Sequence, residues 1–237
     1  MGANQSVDRT FDIIECFSLE KHSIGLSELS RLSQLPKATV FRLAETLVER
    51  GYLAKDPKEQ AYKIGYKVLY LSHILLSHLD YRKVSLPYMK KILVETNQSV
   101  TLYIALNDRE RLCVERFQST QGLSRIVNVG DIFPIDRGAA GKTLLAFKRP
   151  DTLLPDYKIT IQELEHIRRQ GYAISHAERE FGVSSVAAPI LDQHCQIIAS
   201  LSVSGPSFSY GGENLANIIS ITKESAEEIS RQLGYQL

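Results

Sequence analysis

The chain has 237 residues, of which 43% are hydrophobic and 23% are charged, and its formal net charge is +1. This composition is typical of a soluble protein with one large or two modest domains, and it gives no global field that would attract nucleic acid. Any nucleic-acid partner must therefore be met by local charge. No apolar run is long enough to span a membrane, and MGANQSVDRT lacks the apolar core of a secretory signal. We therefore expect a cytoplasmic protein with no membrane partner.

Metal-binding and disulfide patterns are absent from the sequence. The three cysteines, Cys16, Cys113 and Cys195, lie far apart and form no C-x-x-C pair, and the six histidines form no H-x-x-x-H set. This spacing favours reduced thiols and gives no ligand set for zinc. We therefore predict no metal site and no cofactor.

The first third of the chain has the periodicity of three helices. SVDRTFDIIECFS has apolar residues at helical spacing with Ser6 placed to cap it, and LSELSRLSQ follows with Ser27 as its predicted cap. LPKATVFRLAETLVERG carries Pro36, which suits a first helical turn, and ends at Gly51. Two short helices, a tight join at 33–36 and a third helix make a helix-turn-helix layout.

A hairpin and a further helix follow. YLAKD and AYKIG are short β-prone runs separated by a turn at 56–59, so we predict a wing directly after the third helix. YKVLYLSHILLSHL, residues 66–79, is helical in pattern and more apolar than a lone surface helix. We expect it to pack on another chain or on the next domain, and to connect the two domains.

The remainder of the chain alternates irregularly between helices and hairpins, from about residue 86. The predicted helices are PYMKKILVETN, GKTLLAF, TIQELEHIRRQG and GENLANIISITKESAEEISRQLG, and the predicted strands include SVTLYIALND, RLCVERFQS, VSSVAAPILD and IIASLSVSG. Paired antiparallel strands mixed with helices indicate an α+β fold rather than a doubly wound sheet.

The third helix has the character of a DNA-reading helix. If Val40 points inward, the outer face begins with Lys37, Thr39 and Arg42 and has no acid in its first half, whereas Glu45 points outward later on. An arginine there can hold guanine through two hydrogen bonds. The predicted DNA-contacting residues are Lys37, Ala38, Thr39, Phe41, Arg42, Thr46, Lys58 and Lys63. The alternatives are that these charges only solvate a helix face, or that the winged fold is a protein–protein adaptor.

The stretch GAAGKT resembles a phosphate-binding loop but does not complete its pattern. The first glycine of G-x-x-x-x-G-K-[ST] would fall at Asp136, whose carboxylate would repel phosphates. Lys142 is the best support for an enzyme, which remains the alternative, and we predict no catalytic activity. What remains is a small-residue turn at a helix start, where free N–H groups bind anions.

Several motifs in order along the chain resemble the IclR family of bacterial transcription regulators. They are SVDRTFDIIECFS, GLSELSRLSQLPKATVFRLAETLVERGYLAKD, YKIG, VGDIFPIDRGAAGKTLLA, RRQGYAISHAERE-FGVSSVAAPI and ASLSVSGP. The resemblance implies a winged helix-turn-helix over 1–67, a linker helix over 68–84 that helps dimerisation, and a GAF-like α/β effector-binding domain over 85–237. It also implies a homodimer or dimer of dimers that binds double-stranded operator DNA as a repressor, an activator or both.

The resemblance also implies an effector pocket, whose ligand we expect to be a small organic acid such as an aromatic, sugar or keto acid. The implied pocket residues are Ala139, Ala140, Ser175, Ser185, Ser202 and Ser204. The chain departs from the family pattern in having Asp136-Arg137 where a His or Tyr and a small residue are common, and Ser175 where an Asp is frequent. A further departure is Ser185, where a Cys is frequent.

These departures favour an anionic ligand. Arg137 either pairs with its carboxylate or is held by Asp136 or another acid, and Arg125 is a further candidate to line the pocket. The alternative is that the alanines and serines are ordinary packing and strand residues.

Overall fold

The structure is a computed structural model that describes residues 4–120, 127–148 and 153–236. It divides into two compact units, Met1–His78 and Leu79–Leu237. Both units mix helices with antiparallel sheet, which confirms the predicted α+β class. None of the described helices is long and apolar enough to cross a membrane.

The first unit is a winged helix-turn-helix, as predicted. Its elements are α1 (Gln5–Ile14), β1 (Ile24–Gly25), α2 (Leu26–Leu32), α3 (Lys37–Glu49), β2 (Leu53–Lys55), β3 (Ala61–Ile64) and α4 (Tyr66–Ser77). The antiparallel sheet has the order β1-β3-β2, in which β1 was not predicted. The buried core residues are Ile13, Ile24, Leu29, Val40, Ala44, Leu47, Leu53 and Tyr62.

The predicted helix caps were wrong at two positions. Asn4 caps α1 by accepting a hydrogen bond from the Ser6 N–H at 3.2 Å, so Ser6 already lies inside the helix. Ser27 lies inside α2, because the strand pairing of Ile24 and Gly25 with β3 ends directly at the helix start. Gly25 is therefore the N-cap and makes no side-chain hydrogen bond.

The wing joins the end of α3 through a close glycine contact. Gly51 has a φ of +78°, in the left-handed region that favours glycine, and terminates the helix as predicted. The Gly65 N–H donates to the Tyr52 carbonyl at 2.8 Å. A Cβ on Gly65 would lie 2.2 Å from the Gly51 carbonyl oxygen. Only a glycine allows the wing to return this close to α3.

Replacing Gly65 by alanine is expected to destabilise the first unit by about 1–3 kcal/mol, because the new methyl group would overlap backbone atoms of Gly51 and Tyr52. Urea unfolding followed by circular dichroism measures this change. Gly25→Ala is the matched control, since a Cβ there has no atom within 4 Å and the backbone has an ordinary extended conformation. Equal unfolding midpoints for the two variants would contradict the close approach.

The second unit is built on one six-stranded sheet. Its helices are α5 (Asp80–Thr96), α6 (Gly138–Lys148), α7 (Ile161–Gln170) and α8 (Gly212–Gln232). Its strands are β4 (Ser99–Ala105), β5 (Glu110–Phe117), β6 (Ile132–Pro134), β7 (Ala173–His176), β8 (Val183–Leu191) and β9 (Ile197–Pro206). All neighbours are antiparallel in the order β6-β5-β4-β9-β8-β7. Strand β7 was not predicted, and α5 begins earlier than its predicted start at Pro87, which lies within the helix.

The two faces of this sheet differ in what covers them. Alternate residues such as Val100, Leu102 and Val203 pack against α5 and α8 in the larger core. The intervening residues face the other side, where α6 and α7 cover a second core that includes Tyr103 and Ala187. The polar residues of that second face lie beside the start of α6, and this arrangement positions the candidate site.

The boundary between the units falls between two successive helices. The predicted helix over 66–79 is α4, which ends at Ser77, and α5 begins at Asp80. The compact units divide between His78 and Leu79. The domain limits 1–67, 68–84 and 85–237 stay a prediction.

Candidate functional site

The outer face of α3 presents cations at its start. Lys37, Ala38 and Arg42 are exposed, Phe41 is about half exposed, and Thr39 lies at the edge of the core. Neither the Lys37 ammonium nor the Arg42 guanidinium has a hydrogen bond or an ion pair with any residue in the described ranges. Thr46 is exposed, and its hydroxyl donates to the Arg42 carbonyl at 3.0 Å. The first half of α3 therefore carries two positive charges that are available to a partner.

Glu45 does not point freely outward as predicted but ties α3 to the wing. Its Oε1 accepts hydrogen bonds from the Lys55 ammonium and the Tyr62 hydroxyl, each at 2.8 Å. These bonds, that from Lys55 first, hold the pKa of Glu45 below its usual value. The Lys55 ammonium also lies over the rings of Phe41 and Tyr62, at 5.4 and 5.3 Å from their centroids. Two of the charges counted from the sequence thus neutralise each other.

The wing presents fewer free cations than its sequence suggests. The Lys63 ammonium pairs with Asp56 at 3.1 Å. Asp56 also accepts the N–H groups of Lys58 and Glu59, and the latter is the main reason why the pKa of Asp56 is lowered. The Lys58 side chain is exposed at the turn and has no partner among the described residues. Lys58 is therefore the wing residue best placed to meet a phosphate.

The turn that opens α6 already bonds one carboxylate of the chain itself. Gly138 has a φ of +71°, and its N–H donates to Glu178 Oε2 at 3.0 Å. The N–H groups of Ala139 and Ala140, next in the first turn, have no acceptor within the described part of the chain. Both alanines are buried. Two backbone donors and the positive end of the helix dipole therefore remain for a ligand.

Lys142 is a structural residue of α6 rather than a phosphate ligand. Its buried ammonium bonds to Glu163 Oε1 at 2.7 Å and to Glu178 Oε1 at 2.5 Å. Burial by itself lowers the pKa of Lys142, but the two carboxylates more than offset it and hold the pKa above its usual value. Asp136, at the position of the missing glycine, accepts the Lys158 N–H at 2.9 Å. Neither residue is arranged to bind a nucleotide phosphate.

Six of the seven predicted effector-site residues line a single cavity. It has a volume of about 40 Å³ and lies between the start of α6 and strands β7, β8 and β9. The predicted residues that line it are Ala139, Ala140, Ser175, Ser185, Ser202 and Ser204. Strand register brings the serines together, because Ser185 lies opposite Ser175 on one side and opposite Ser204 on the other.

Arg137 does not line this cavity. Its Nε lies 3.8 Å from Asp136 Oδ1, and the side chain borders a neighbouring open groove with Arg109, Asp156 and Tyr157. The contact of Arg137 with Asp136 is therefore present, and a role of Arg137 in binding a ligand stays a prediction. The further candidate Arg125 lies outside the described residues.

Arg111, which was not predicted, lines the same cavity from β5. Only 2% of this side chain is exposed. Its Nη1 donates to the carbonyls of Pro134, at 2.8 Å, and Arg137, and the guanidinium packs on the rings of Tyr103 and Phe133. Burial lowers the pKa of Arg111 to about 10, so the side chain stays charged at neutral pH. Its position two residues before buried Cys113 on an alternating strand is the signal that would have placed it inward.

Other residues complete the cavity wall. Arg179, Glu180 and Val183, on or beside the loop between β7 and β8, form its outer side. The Arg179 guanidinium lies 4.3 Å from the Phe133 ring centroid. Within the described ranges, no group of three or more His, Cys, Asp or Glu side chains converges to hold a metal ion. The cavity wall thus combines backbone N–H, guanidinium and hydroxyl groups.

Comparison with known families identifies the two halves of the chain. The IclR helix-turn-helix domain matches residues 6–57, and the bacterial transcriptional regulator IclR C-terminal domain matches residues 73–231. The chain belongs to the IclR family. This IclR protein is 28% identical to the HTH-type transcriptional regulator KipR of Bacillus subtilis, over 98% of both chains.

Solved structures support the same fold for this IclR protein. An IclR transcriptional regulator from Alicyclobacillus acidocaldarius is 22% identical, with a TM-score of 0.81 over 98% of this chain and 100% of that chain. An IclR homolog from Microbacterium hydrocarbonoxydans, complexed with 4-hydroxybenzoate, is also 22% identical. Its TM-score is 0.81 over 96% of this chain and 98% of that chain. The family assignment makes the protein a DNA-binding transcription regulator, and the enzyme alternative is set aside.

Proposed function

We propose that this IclR regulator binds double-stranded operator DNA through α3 and the wing, and that a small carboxylate effector in the cavity changes its operator affinity. The observation that carries the effector proposal is the convergence of two unbonded backbone N–H groups, four serines and a buried guanidinium on one cavity. The family relative bound to 4-hydroxybenzoate, itself a carboxylate, supports the same class of ligand.

The DNA half of the proposal assigns the major groove to α3. Arg42 and Lys37 carry charges that have no partner in the described part of the chain, and they lie at the start of the helix, where a recognition helix contacts base edges and phosphates. The predicted contacts Ala38, Thr39, Phe41 and Thr46 lie on or beside the same face, and Lys58 contacts the backbone from the wing. Lys63, being paired with Asp56, contributes less to phosphate binding.

The proposal is tested by measuring operator affinity. A duplex that the protein selects from a random library is labelled, and its binding is followed by fluorescence anisotropy. We expect operator affinity to fall with salt, with a slope of about 0.9 per neutralised phosphate. A ligand that binds two arrangements of the protein unequally changes this affinity, commonly by ~1–3 kcal/mol of coupling. A thermal-shift screen of organic acids finds the ligand, because a binder at a hundredfold excess over Kd stabilises by about 2.7 kcal/mol.

A cavity-filling variant separates the two halves of the proposed function. Ser204→Leu is expected to bind the selected duplex as the wild type does and to lose the response to the acid found in the screen. Arg137→Gln, outside the cavity, serves as the control and should keep both properties. Failure of the wild type to bind any duplex at low salt would favour a protein–protein adaptor and contradict the proposal.

We propose further that the regulator is a homodimer, or a dimer of dimers, in which α4 packs against a second copy. None of the residues of α4 is buried, and Leu69 and Leu75 leave 67% and 59% of their surface exposed. Apolar surface of this extent on one helix is typical of an interface.

Leu69→Glu is expected to shift the protein toward monomer in size-exclusion chromatography with light scattering, because a charge would be buried at the interface. Leu106→Glu, at an exposed apolar residue outside α4, is the control and should keep the wild-type mass. A dimer that persists in Leu69→Glu at micromolar concentration would contradict the α4 interface.

A further inference from the structure

We propose that the effector is a polyhydroxy carboxylic acid, whose carboxylate is bound by Arg111 and the first turn of α6 and whose hydroxyls bind a row of serines. This inference rests on the proposed function, and it narrows the ligand from any small carboxylate to one chemical class. Two independent features of the cavity support it: a buried guanidinium that has no carboxylate partner among the described residues, and an array of hydroxyl groups that have no hydrogen-bond partner among them.

Arg111 carries a buried positive charge that makes no ion pair with the described residues, and the carboxylates of Asp136 and Glu178 act on it only from a distance. Among the described residues no carboxylate lies within 4.0 Å of its guanidinium, and hydrogen bonds engage only Nη1. Its Nε is buried without a partner, and Nη2 makes no hydrogen bond to the described part of the chain. A charge removed from water in this way is unfavourable unless an anion joins it. A ligand carboxylate in the cavity supplies that anion.

The free edge of Arg111 lies beside the free N–H groups of α6. A Cβ built on Gly138 would be 3.4 Å from Arg111 Nη2, so the guanidinium touches the start of the helix. The unbonded N–H groups of Ala139 and Ala140 belong to the same turn. A guanidinium edge and two backbone donors match the two oxygens of one carboxylate. Arg111 is thus the residue that selects an acid over a neutral ligand.

A row of hydroxyl groups extends away from this anchor across four strands. Ser175, Ser185, Ser204 and Ser99 are successive cross-strand partners on β7, β8, β9 and β4. Adjacent strands are about 4.8 Å apart, so the row spans roughly 14 Å. In the next row of the same face, Ser202 lies opposite Thr101.

Four of these hydroxyls are available to a ligand. The side chains of Ser175, Ser185, Ser202 and Ser204 line the cavity and have no hydrogen-bond partner among the described residues. A serine hydroxyl both donates and accepts, so it pairs best with another hydroxyl. An aromatic or aliphatic acid would leave these groups unpaired, whereas the hydroxyls of a polyhydroxy acid satisfy them.

The loop between β7 and β8 controls the space above the row. The main cavity of about 40 Å³ and a second of about 20 Å³ share Arg179, Glu180, Val183 and Ser204 as lining residues. The main cavity as it stands holds only a few water molecules. The proposed ligand needs more space than this, which displacement of the exposed Arg179 from the ring of Phe133 would supply by joining the two cavities. The ligand then lies along the serine row with its carboxylate at Arg111.

The inference is tested by isothermal titration calorimetry of the full-length protein with probes matched by carbon number. The polyhydroxy acids are glycerate, threonate, xylonate and gluconate, the plain acids are propionate, butyrate, pentanoate and hexanoate, and the neutral polyols are glycerol, erythritol, xylitol and sorbitol. We also include 4-hydroxybenzoate. We expect at least one polyhydroxy acid to bind about tenfold or more tightly than its plain acid, its polyol and the aromatic acid.

Variants assign the two halves of the ligand. Arg111→Gln should weaken the best polyhydroxy acid at least about tenfold, the loss of one charge-assisted contact. The double variant Ser185→Ala with Ser204→Ala should lower the affinity for that acid and leave the affinity for the plain acid of the same carbon number unchanged. This test remains valid even if Arg111→Gln does not fold. Arg137→Gln is the matched arginine control and should bind as the wild type does.

The outcomes separate this inference from the proposed function. One outcome is that the wild type binds its selected duplex but binds a plain acid, the aromatic acid or a polyol as tightly as every polyhydroxy acid. In that case the inference is wrong, whereas the proposed DNA-binding function stands. Absence of binding by every probe overturns the inference as well. If the protein binds no duplex, the proposed function fails whatever the calorimetry shows.

Discussion

Replacing Arg42 by alanine is expected to weaken operator binding by about 10–100-fold and to broaden the base preference at one position of each half-site. The reason is that Arg42 is exposed at the start of α3 with no competing partner in the described structure, so its guanidinium is free to hold a guanine edge. Such a bidentate contact contributes ~1–3 kcal/mol of discrimination. Fluorescence anisotropy with the selected duplex and with single-base variants of it measures both effects.

Two controls make the Arg42 result specific. Arg231→Ala removes an exposed arginine from α8 and should leave operator affinity unchanged, which excludes a general charge effect. Methylation of guanine N7 at the base that Arg42 contacts should weaken binding of the wild type. The same methylation should not affect binding of Arg42→Ala, which lacks that contact. Unchanged affinity and preference in Arg42→Ala would show that α3 does not read the bases through this residue.

Lys142→Met is expected to destabilise the second unit by about 3 kcal/mol. The substitution keeps the length of the side chain but leaves Glu163 and Glu178 without their shared cation at a buried position. Breaking a buried ion pair costs about 3–5 kcal/mol, and the partial exposure of both carboxylates places the effect at the low end. Urea unfolding followed by the fluorescence of the tyrosines measures the change.

Lys148→Met provides the matched control on the same helix. Lys148 is an exposed residue that pairs with Asp108 at the surface, so its replacement should leave the unfolding transition where it is. We expect no ATP turnover by the wild type or by either variant. Wild-type stability in Lys142→Met together with a measurable ATPase that this substitution abolishes would restore the enzyme interpretation of GAAGKT.

The elements that follow from local periodicity were predictable from the sequence. The helix-turn-helix, the wing, the end of α3 at Gly51 and the end of α7 at Gly171 depend on residues close in the chain, and the structure confirms them. The errors at Ser6 and Ser27 arose because other residues fix where the helices begin. Asn4 caps α1, and the pairing of β1 with β3 brings the start of α2 forward.

The charges of the candidate site were less predictable, because they depend on contacts distant in sequence. Glu45 bonds to Lys55 and Tyr62 on the wing. A count of charged residues on α3 and the wing therefore overestimates the number of free positive and negative charges. Arg111 comes to the cavity through sheet pairing and is held by carbonyls more than twenty residues away. Arg137, next to the α6 turn in sequence, points instead toward the neighbouring groove.

The convergence of the predicted serines had a different origin. Nothing in the local sequence around Ser175, Ser185 or Ser204 indicates a pocket, since serine is common in strands and turns. The family resemblance indicated these positions, and the register of β7, β8 and β9 places them side by side. Their role in binding an effector is a prediction that ligand measurements decide.

The contact between α3 and DNA bases is tested most directly by photo-crosslinking. A benzoylphenylalanine placed at Ala38, an exposed residue on the outer face of α3, is irradiated in the complex with the selected duplex. We expect crosslinks to bases within a half-site of the duplex, and none from the same probe at Phe208, which is exposed in the second unit. Bound duplex that gives no crosslink from position 38 would contradict it.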